Sequence, residues 1–186
     1  LQLAEERDDE WSMIKLAYIE MDRGNSEERL KWIQKALEKE YIDAYFELGF
    51  FYQFDEAYKD LEKAQQSYYQ AAQLGNPDGM NGLALIYYNM PDYKGDEQAF
   101  RWFSKSADLG DSLGLYYLAV MYENGFGTNV DKQKAWDLYL ASSDQKFSPA
   151  YRKIAQLIEE GEAPASFTGR ELEYYINCLL YTSDAA

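Results

Sequence analysis

The feature of this sequence that constrains its fold most is an internal repeat with a period of 35 to 36 residues. Three alanines at equivalent positions show the period: Ala64, Ala99 and Ala135. A second series of small residues recurs at the same intervals: Ala44, Gly79, Gly114 and Ala150. Self-similarity at this period indicates that one supersecondary unit recurs along the chain, so we expect an array of repeats rather than a single irregular domain.

The spacing inside each repeat indicates two helices. Apolar or small residues recur in each half at i, at i+3 or i+4, and at i+7 or i+8, which is one face of an α-helix. Residues typical of helix ends fall at the expected places: Asn25 for an N-cap, Gly75 and Gly110 for C-terminal ends, and Pro77 and Pro149 for first turns. Since one helix pair cannot bury both of its apolar faces, we predict an all-α fold, an α/α solenoid (superhelix) of about four to five stacked two-helix repeats.

The repeat register divides the chain into one solenoid domain and a short tail. The predicted solenoid covers residues 1–177, and its units span about 8–39, 40–74, 75–109, 110–145 and 146–177. The closing residues, CLLYTSDAA at 178–186, resemble the in-frame translation of a sequencing adapter. We therefore expect the natural repeats to end near Asn177. The chain begins at Leu1 rather than at methionine, so we also expect sequence before it.

Composition disfavours several classes of function. The chain has 33 acidic and 18 basic residues, and its net charge of −15 disfavours nucleic acids and anionic membrane surfaces as partners. No apolar run approaches the roughly 20 residues of a membrane span, so we expect a soluble protein, in a compartment that the sequence does not indicate. With no histidine and one cysteine, these residues lack a His/Cys zinc site and a histidine-dependent triad. We predict no cofactor, no metal and no enzymatic activity.

A glycine pair in ENGFGTN (123–129) raises the alternative of a phosphate-binding loop. A dinucleotide-binding motif would need a third glycine at position 130, which is Val130, and a strand before the loop. A Walker-type Gly-Lys-Ser/Thr sequence is also absent. In the repeat register the loop joins the first helix of a unit to the second, where the chain must adopt positive φ angles. We therefore predict that this segment is a turn.

The repeat resembles the Sel1-like repeat family, which is related to the tetratricopeptide repeats. The similarity is best over residues 110–143, at positions that recur in register: Leu118-Ala119, Tyr122, Gly125, Gly127, Lys134-Ala135 and Tyr139. Two departures affect the loops, because Gly-x-Gly occurs once and Lys146 stands where the family usually has glycine. The resemblance covers most of residues 8–177, and it implies an adaptor that assembles protein complexes.

The predicted binding surface is the face of the first helices that is not needed inside a repeat. In a stacked solenoid this face lines the concave side, where aromatic residues offer large, fairly rigid contact area. The predicted partner-binding residues are Trp11, Tyr18, Phe46, Phe50, Gln53, Asn81, Tyr88, Tyr116, Glu123 and Arg152, with Ile14, Leu85, Val120 and Gln156 on the same side. The same spacing also fits aromatic packing between neighbouring repeats, and the sequence alone does not separate the two interpretations.

These observations predict a non-enzymatic scaffold that holds a peptide or a partner protein on its concave face. The acidic composition favours a basic partner through long-range attraction. Two alternatives stay open: a regulatory repeat segment of a larger enzyme, and a hydrolase that works through paired carboxylates. The sequence does not indicate which protein is the partner.

Overall fold

The computed structural model of the protein describes residues 10–90, 93–164 and 167. This described part contains nine helices and no strand. The helices are α1 (Glu10–Asp22), α2 (Ser26–Glu38), α3 (Asp43–Phe54), α4 (Leu61–Gln73), α5 (Pro77–Tyr88), α6 (Tyr93–Asp108), α7 (Ser112–Asn124), α8 (Lys132–Asp144) and α9 (Ser148–Glu159). The predicted all-α fold is confirmed. The predicted tail at 178–186 and residues 168–177 of the last predicted unit lie outside the described residues.

The chain divides into two compact units, unit 1 (Leu1–Ile86) and unit 2 (Tyr87–Ala186). In unit 1, α1 packs on α2, α2 on α3, and α3 on α4. In unit 2, α6 packs on α7, α7 on α8, and α8 on α9. Each unit therefore buries the apolar faces of its helices against the helices that are next to them in the chain.

Side-chain caps begin helices at matching repeat positions. Asn25, Asp60 and Asp131 accept a hydrogen bond from the backbone N–H three residues later, at the start of α2, α4 and α8. Asn76 does the same for α5, with an Oδ1–N distance of 2.7 Å, and Asp111 does so for α7, at 2.8 Å. A cap of this kind stabilises a helix by about 1 kcal/mol. The predicted N-cap at Asn25 is confirmed.

The second residue after each second helix has a left-handed backbone. Gly75 and Gly110 have φ angles of 85° and 78°, as the sequence predicts. The equivalent residues of the neighbouring repeats are Glu40 and Lys146, with φ angles of 60° and 63°. The repeat therefore keeps its turn geometry even where a side chain makes that conformation unfavourable.

Candidate functional site

The predicted binding residues fall into two series of equivalent positions. The first series lies in the N-terminal halves of the first helices and comprises Trp11, Phe46, Asn81, Tyr116 and Arg152. The second series lies near their C-terminal ends and comprises Tyr18, Gln53, Tyr88 and Glu123. Phe50 lies between the two series on α3. The structure gives the two series different surroundings.

Every member of the second series has a partner inside the protein. The Tyr68 hydroxyl donates a hydrogen bond of 2.7 Å to Oε1 of Gln53, and the Tyr139 hydroxyl donates one of 2.7 Å to Oε2 of Glu123. The Tyr18 hydroxyl donates to Oε1 of a buried glutamate on α3, Glu47. These contacts position side chains that the sequence assigns to partner binding, and that assignment stays a prediction.

A third position completes these contacts. It is the equivalent position on the next first helix, occupied by Glu47, Gly82, Tyr117 and Lys153 in successive repeats, and it lies against either the second-series residue or the second-helix ring. We call the second-series residue, the equivalent second-helix residue (Ile33, Tyr68, Phe103 or Tyr139) and this third residue a three-residue cluster. A Cβ atom at Gly82 would lie 2.7 Å from the ring of Tyr68, so glycine is what leaves room for that ring.

The third cluster is entirely aromatic. Tyr88 lies 6.4 Å from Phe103 and 5.8 Å from Tyr117, measured between ring centroids. Phe103 and Tyr117 are stacked at 4.9 Å with an interplanar angle of 10°. Where the second helix has phenylalanine instead of tyrosine, the first helix therefore supplies a ring instead of a hydrogen-bond acceptor.

Buried charge characterises the cluster of Tyr18 and Glu47 in unit 1. Arg29 stands where the other repeats have alanine, and it is 4% exposed. Its guanidinium carbon lies 5.7 Å and 5.4 Å from the ring centroids of Phe50 and Phe51. Burial lowers the pKa of Arg29, and burial raises the pKa of Glu47. Burial, followed by the hydrogen bond to Glu47, raises the pKa of Tyr18.

The corresponding cluster of unit 2 holds its carboxylate closer to solvent. Glu123 accepts from Tyr139 and forms an ion pair of 2.8 Å with Lys153 through its other oxygen. The side chains of this pair are 18% and 20% exposed. Burial raises the pKa of Tyr139, with a further contribution from its hydrogen bond to Glu123. Tyr139 therefore remains a neutral donor, and the glutamate is held by a phenol on one side and an ammonium on the other.

Members of the first series range from buried to exposed. Trp11 is 60% exposed, and the Nζ atom of Lys15 lies 4.8 Å from its ring centroid. Asn81 is 4% exposed, and this burial does not favour direct contact between its side chain and a partner. Phe46 and Tyr116 are half-buried, and Arg152 is exposed.

Unit 1 presents an aromatic surface on α3. Phe46, Phe50 and Phe54 follow one another at intervals of four residues, with ring centroids 6.3 Å and 4.7 Å apart. Phe54 is 58% exposed. We call these three residues the aromatic patch. Phe54 is not among the predicted binding residues, although its spacing from Phe50 places it on the same helical face.

Unit 2 presents an open groove between α7 and α9, which we call the basic groove. It has a volume of about 270 Å³ and is lined by Tyr116, Pro149, Arg152, Lys153 and Gln156. The structure thus brings together three residues that the register placed on one side, Tyr116, Arg152 and Gln156. Sequence reasoning missed Pro149 and Lys153, because their contribution depends on how α9 packs beside α7. A smaller cavity beside Glu123, of about 20 Å³, has room for about one water molecule.

The segment 123–129 is a turn. Gly125 ends α7 in the left-handed conformation with φ of 76°, and Gly127 has φ of 64°. A Cβ atom on Gly127 would lie 2.4 Å from the backbone oxygen of Asp96, so this glycine allows a close backbone approach. The ring of Phe126 packs against Tyr88 with centroids 6.1 Å apart. The glycines therefore serve chain reversal and packing.

Two kinds of feature are absent from the described residues. No group of three or more His, Cys, Asp or Glu residues among them is arranged to hold a metal ion. None of the helices formed by these residues combines the length and the hydropathy that a membrane span requires.

Comparison with known proteins gives the fold a family context. The family model for the Sel1 repeat matches residues 42–76, 77–111 and 112–147, and no curated protein matches the sequence. The structure is similar to a Sel1 repeat protein from Oxalobacter formigenes, with a TM-score of 0.76 and 21% identity, covering 90% of this chain and 71% of that one.

A second solved structure shows the same fold. It is c5321, a protective antigen of uropathogenic Escherichia coli strains with an SLR fold, which is similar at a TM-score of 0.73 and 23% identity. The alignment covers 84% of this chain, and the chain spans 35% of the length of c5321. Both comparisons confirm the predicted α/α solenoid class, and at these identities they bear on the fold alone.

Proposed function

The chain belongs to the Sel1 repeat family, and from that premise we propose that it is a scaffold that binds a segment of a partner protein through the first-helix surfaces of its two units. Sel1 repeat proteins generally mediate protein–protein interactions and are typically non-enzymatic. The finer proposal is that the aromatic patch and the basic groove are the two contact surfaces. Each acts within its own unit.

The observation that carries this proposal is the basic groove. The ring of Tyr116 packs against Tyr139 and Phe147, with centroid distances of 5.6 Å and 5.5 Å. This packing fixes the ring of Tyr116 where it lines the open groove. A rigid aromatic side chain loses little conformational entropy when it binds, and tyrosine and arginine are frequent hot-spot residues. The groove therefore combines an anchored ring with an exposed charged side chain, Arg152.

The aromatic patch supports the same function in unit 1. Phe46 packs on Tyr68 at 5.8 Å, and its row continues through Phe50 to Phe54, which is the most exposed of the three. Exposed aromatic rings in contact with one another form a continuous apolar surface, which is typical of protein-interaction sites. The guanidinium group of Arg29 packs against the ring of Phe50.

The test is selection of a displayed library of random peptides on the intact chain, followed by affinity measurements on the recovered peptides. We expect peptides that occupy the basic groove to bind Tyr116→Ala about tenfold more weakly, as for a hot-spot side chain. We expect peptides that occupy the aromatic patch to lose affinity to Phe50→Ala to a similar extent. Circular dichroism of both variants should retain the helical signal of the unmodified chain.

Tyr69→Ala is the matched control, because Tyr69 is 46% exposed on α4 and belongs to neither surface. This variant should bind the selected peptides as the unmodified chain does. Peptides whose affinity is unchanged by both Tyr116→Ala and Phe50→Ala would contradict the placement of the binding surfaces.

A further inference from the structure

The basic groove has a charge opposite to that of the chain as a whole. Building on the proposed function, we propose that this groove recognises a single acidic side chain, Asp or Glu, in a partner segment that is otherwise neutral or basic. Arg152 is the residue that would contact the carboxylate. The net charge of the chain is −15, so a cationic groove in such a protein is a specific feature rather than a consequence of composition.

The charge balance of the groove leaves one cation available. Lys153 is neutralised locally by its ion pair of 2.8 Å with Glu123. Arg152 is exposed and forms no ion pair within residues 10–90, 93–164 and 167. A guanidinium group presents a planar fork of N–H donors that matches a carboxylate in a bidentate geometry, so Arg152 suits a carboxylate better than it suits the neutral or basic groups of a peptide.

Two neutral donors flank this charge. The Tyr116 hydroxyl has no hydrogen-bond partner in the described part of the chain, and burial raises its pKa, so it stays protonated. Gln156 uses one N–H of its amide to hold Glu160, at 2.9 Å, and the second N–H remains able to donate. A carboxylate has acceptor sites for all three groups.

The surrounding charge restricts the sequence of the partner segment. An acidic run would be repelled by the 33 carboxylates of the chain, whereas one acidic residue among neutral or basic ones would not. The proposal therefore agrees with the attraction of a basic partner that the overall charge predicts. It adds a carboxylate as the specific contact at one position.

The experiment compares peptide selections on the unmodified chain and on Arg152→Glu, using the same displayed library of random peptides. We expect peptides recovered on the unmodified chain and sensitive to Tyr116→Ala to share an Asp or Glu at one position. On Arg152→Glu, that position should change to Lys or Arg. Individual peptides from the first selection should bind Arg152→Glu about tenfold more weakly, because attraction is lost and repulsion is added.

Arg101→Glu is the matched control, since Arg101 is exposed on α6, lies outside the lining of the groove and changes charge by the same amount. This control should retain both the peptide preference and the affinity. A synthetic peptide with an amidated C-terminus should bind as well as its free acid, and replacing its Glu by Gln should weaken binding. Binding by the free acid alone would overturn the assignment to an acidic side chain.

The outcomes separate this proposal from the proposed function. Peptides that require Tyr116 but show no acidic preference, or whose preference is unchanged on Arg152→Glu, would overturn the carboxylate proposal and leave the scaffold function in place. Selections that recover no binding peptide for the groove would overturn both proposals for this surface.

Discussion

Phe46 in unit 1 and Tyr116 in unit 2 occupy the same position of the repeat, and each packs on the tyrosine of the following helix. Their surroundings differ in chemistry. In unit 1 the surface continues along α3 as phenylalanine rings, and the charge lies beneath them as Arg29 and Glu47. In unit 2 the charge is at the surface, where Arg152 borders an open groove. One backbone framework thus supports an apolar surface and a cationic one.

The three-residue clusters beside these surfaces also differ in chemistry. Each cluster fills an equivalent space between two first helices and one second helix. In chain order, the clusters fill it with an acid and a phenol, with an amide and a glycine, with three rings, and with an ion pair. Because the helices fix the positions of the side chains but not their chemistry, neighbouring repeats can present different surfaces on the same fold.

Arg29→Ala should have the largest effect on stability, and it tests whether the charge of Arg29 in unit 1 is part of the buried core. The variant loses packing against two phenylalanine rings and removes a buried charge that interacts electrostatically with Glu47, which should lower the free energy of unfolding by about 3 kcal/mol. Lys153→Ala in unit 2 should cost about 1 kcal/mol, because that ion pair is partly solvated. Chemical denaturation of the two variants measures the difference.

Arg29→Met serves as the control for this comparison, since it keeps an apolar stem while removing the charge. It should recover part of the loss seen with alanine. Equal losses for Arg29→Ala and Lys153→Ala would contradict the distinction between an internal and a superficial charge.

Removing one hydroxyl from each unit should give a smaller effect and sharpen the comparison. Tyr139→Phe removes a hydrogen bond to a carboxylate and should cost about 2 kcal/mol, whereas Tyr68→Phe removes one to a neutral amide and should cost about 1 kcal/mol. Both rings keep their packing. Denaturant unfolding should show unchanged slopes and shifted midpoints, and a larger loss for Tyr68→Phe would reverse the predicted order.

The smallest effect should be a pH dependence that comes from Glu47. Burial raises its pKa above the ordinary value of 4.5, so the folded state favours the protonated acid. Its contribution to stability is therefore fully present below pH 4.5 and is lost as pH rises through the folded-state pKa. Unfolding free energies measured across this range should fall for the unmodified chain relative to Glu47→Gln. A constant difference between the two proteins would contradict the shift.

Much of the fold could be predicted because it depends on local chemistry that the repeat displays several times. The helix cap at Asn25, the left-handed residues at Gly75 and Gly110, and the turn at Gly125 each follow from a residue type at a fixed place. Lys146 adopts the left-handed turn conformation although it is not glycine, so the turn follows from the position in the repeat even where the residue type does not favour it.

The candidate surfaces could be predicted only in part. Helical spacing places Phe46, Phe50 and Gln53 on neighbouring parts of one helix, but spacing does not show where a second helix covers that surface. Tyr68 reaches Gln53 from α4, so a residue predicted to contact a partner also forms a hydrogen bond within the chain. Phe50 is half-buried. The guanidinium group of Arg29 lies near its ring, and part of the ring stays accessible to solvent.

The sequence by itself determined the helices, their register and the turns between them, because these depend on hydrogen bonds and apolar contacts within about one repeat length. Only the tertiary structure decided which side chains of a helical face meet a neighbouring helix and which meet solvent. Arg29 is the clearest example: a charged residue at an alanine position would be expected outside, yet it is buried near the rings of Phe50 and Phe51 and interacts electrostatically with Glu47. The physical reason is that a buried charge depends on partners contributed by other helices. The periodicity of a sequence does not give the distances to those partners.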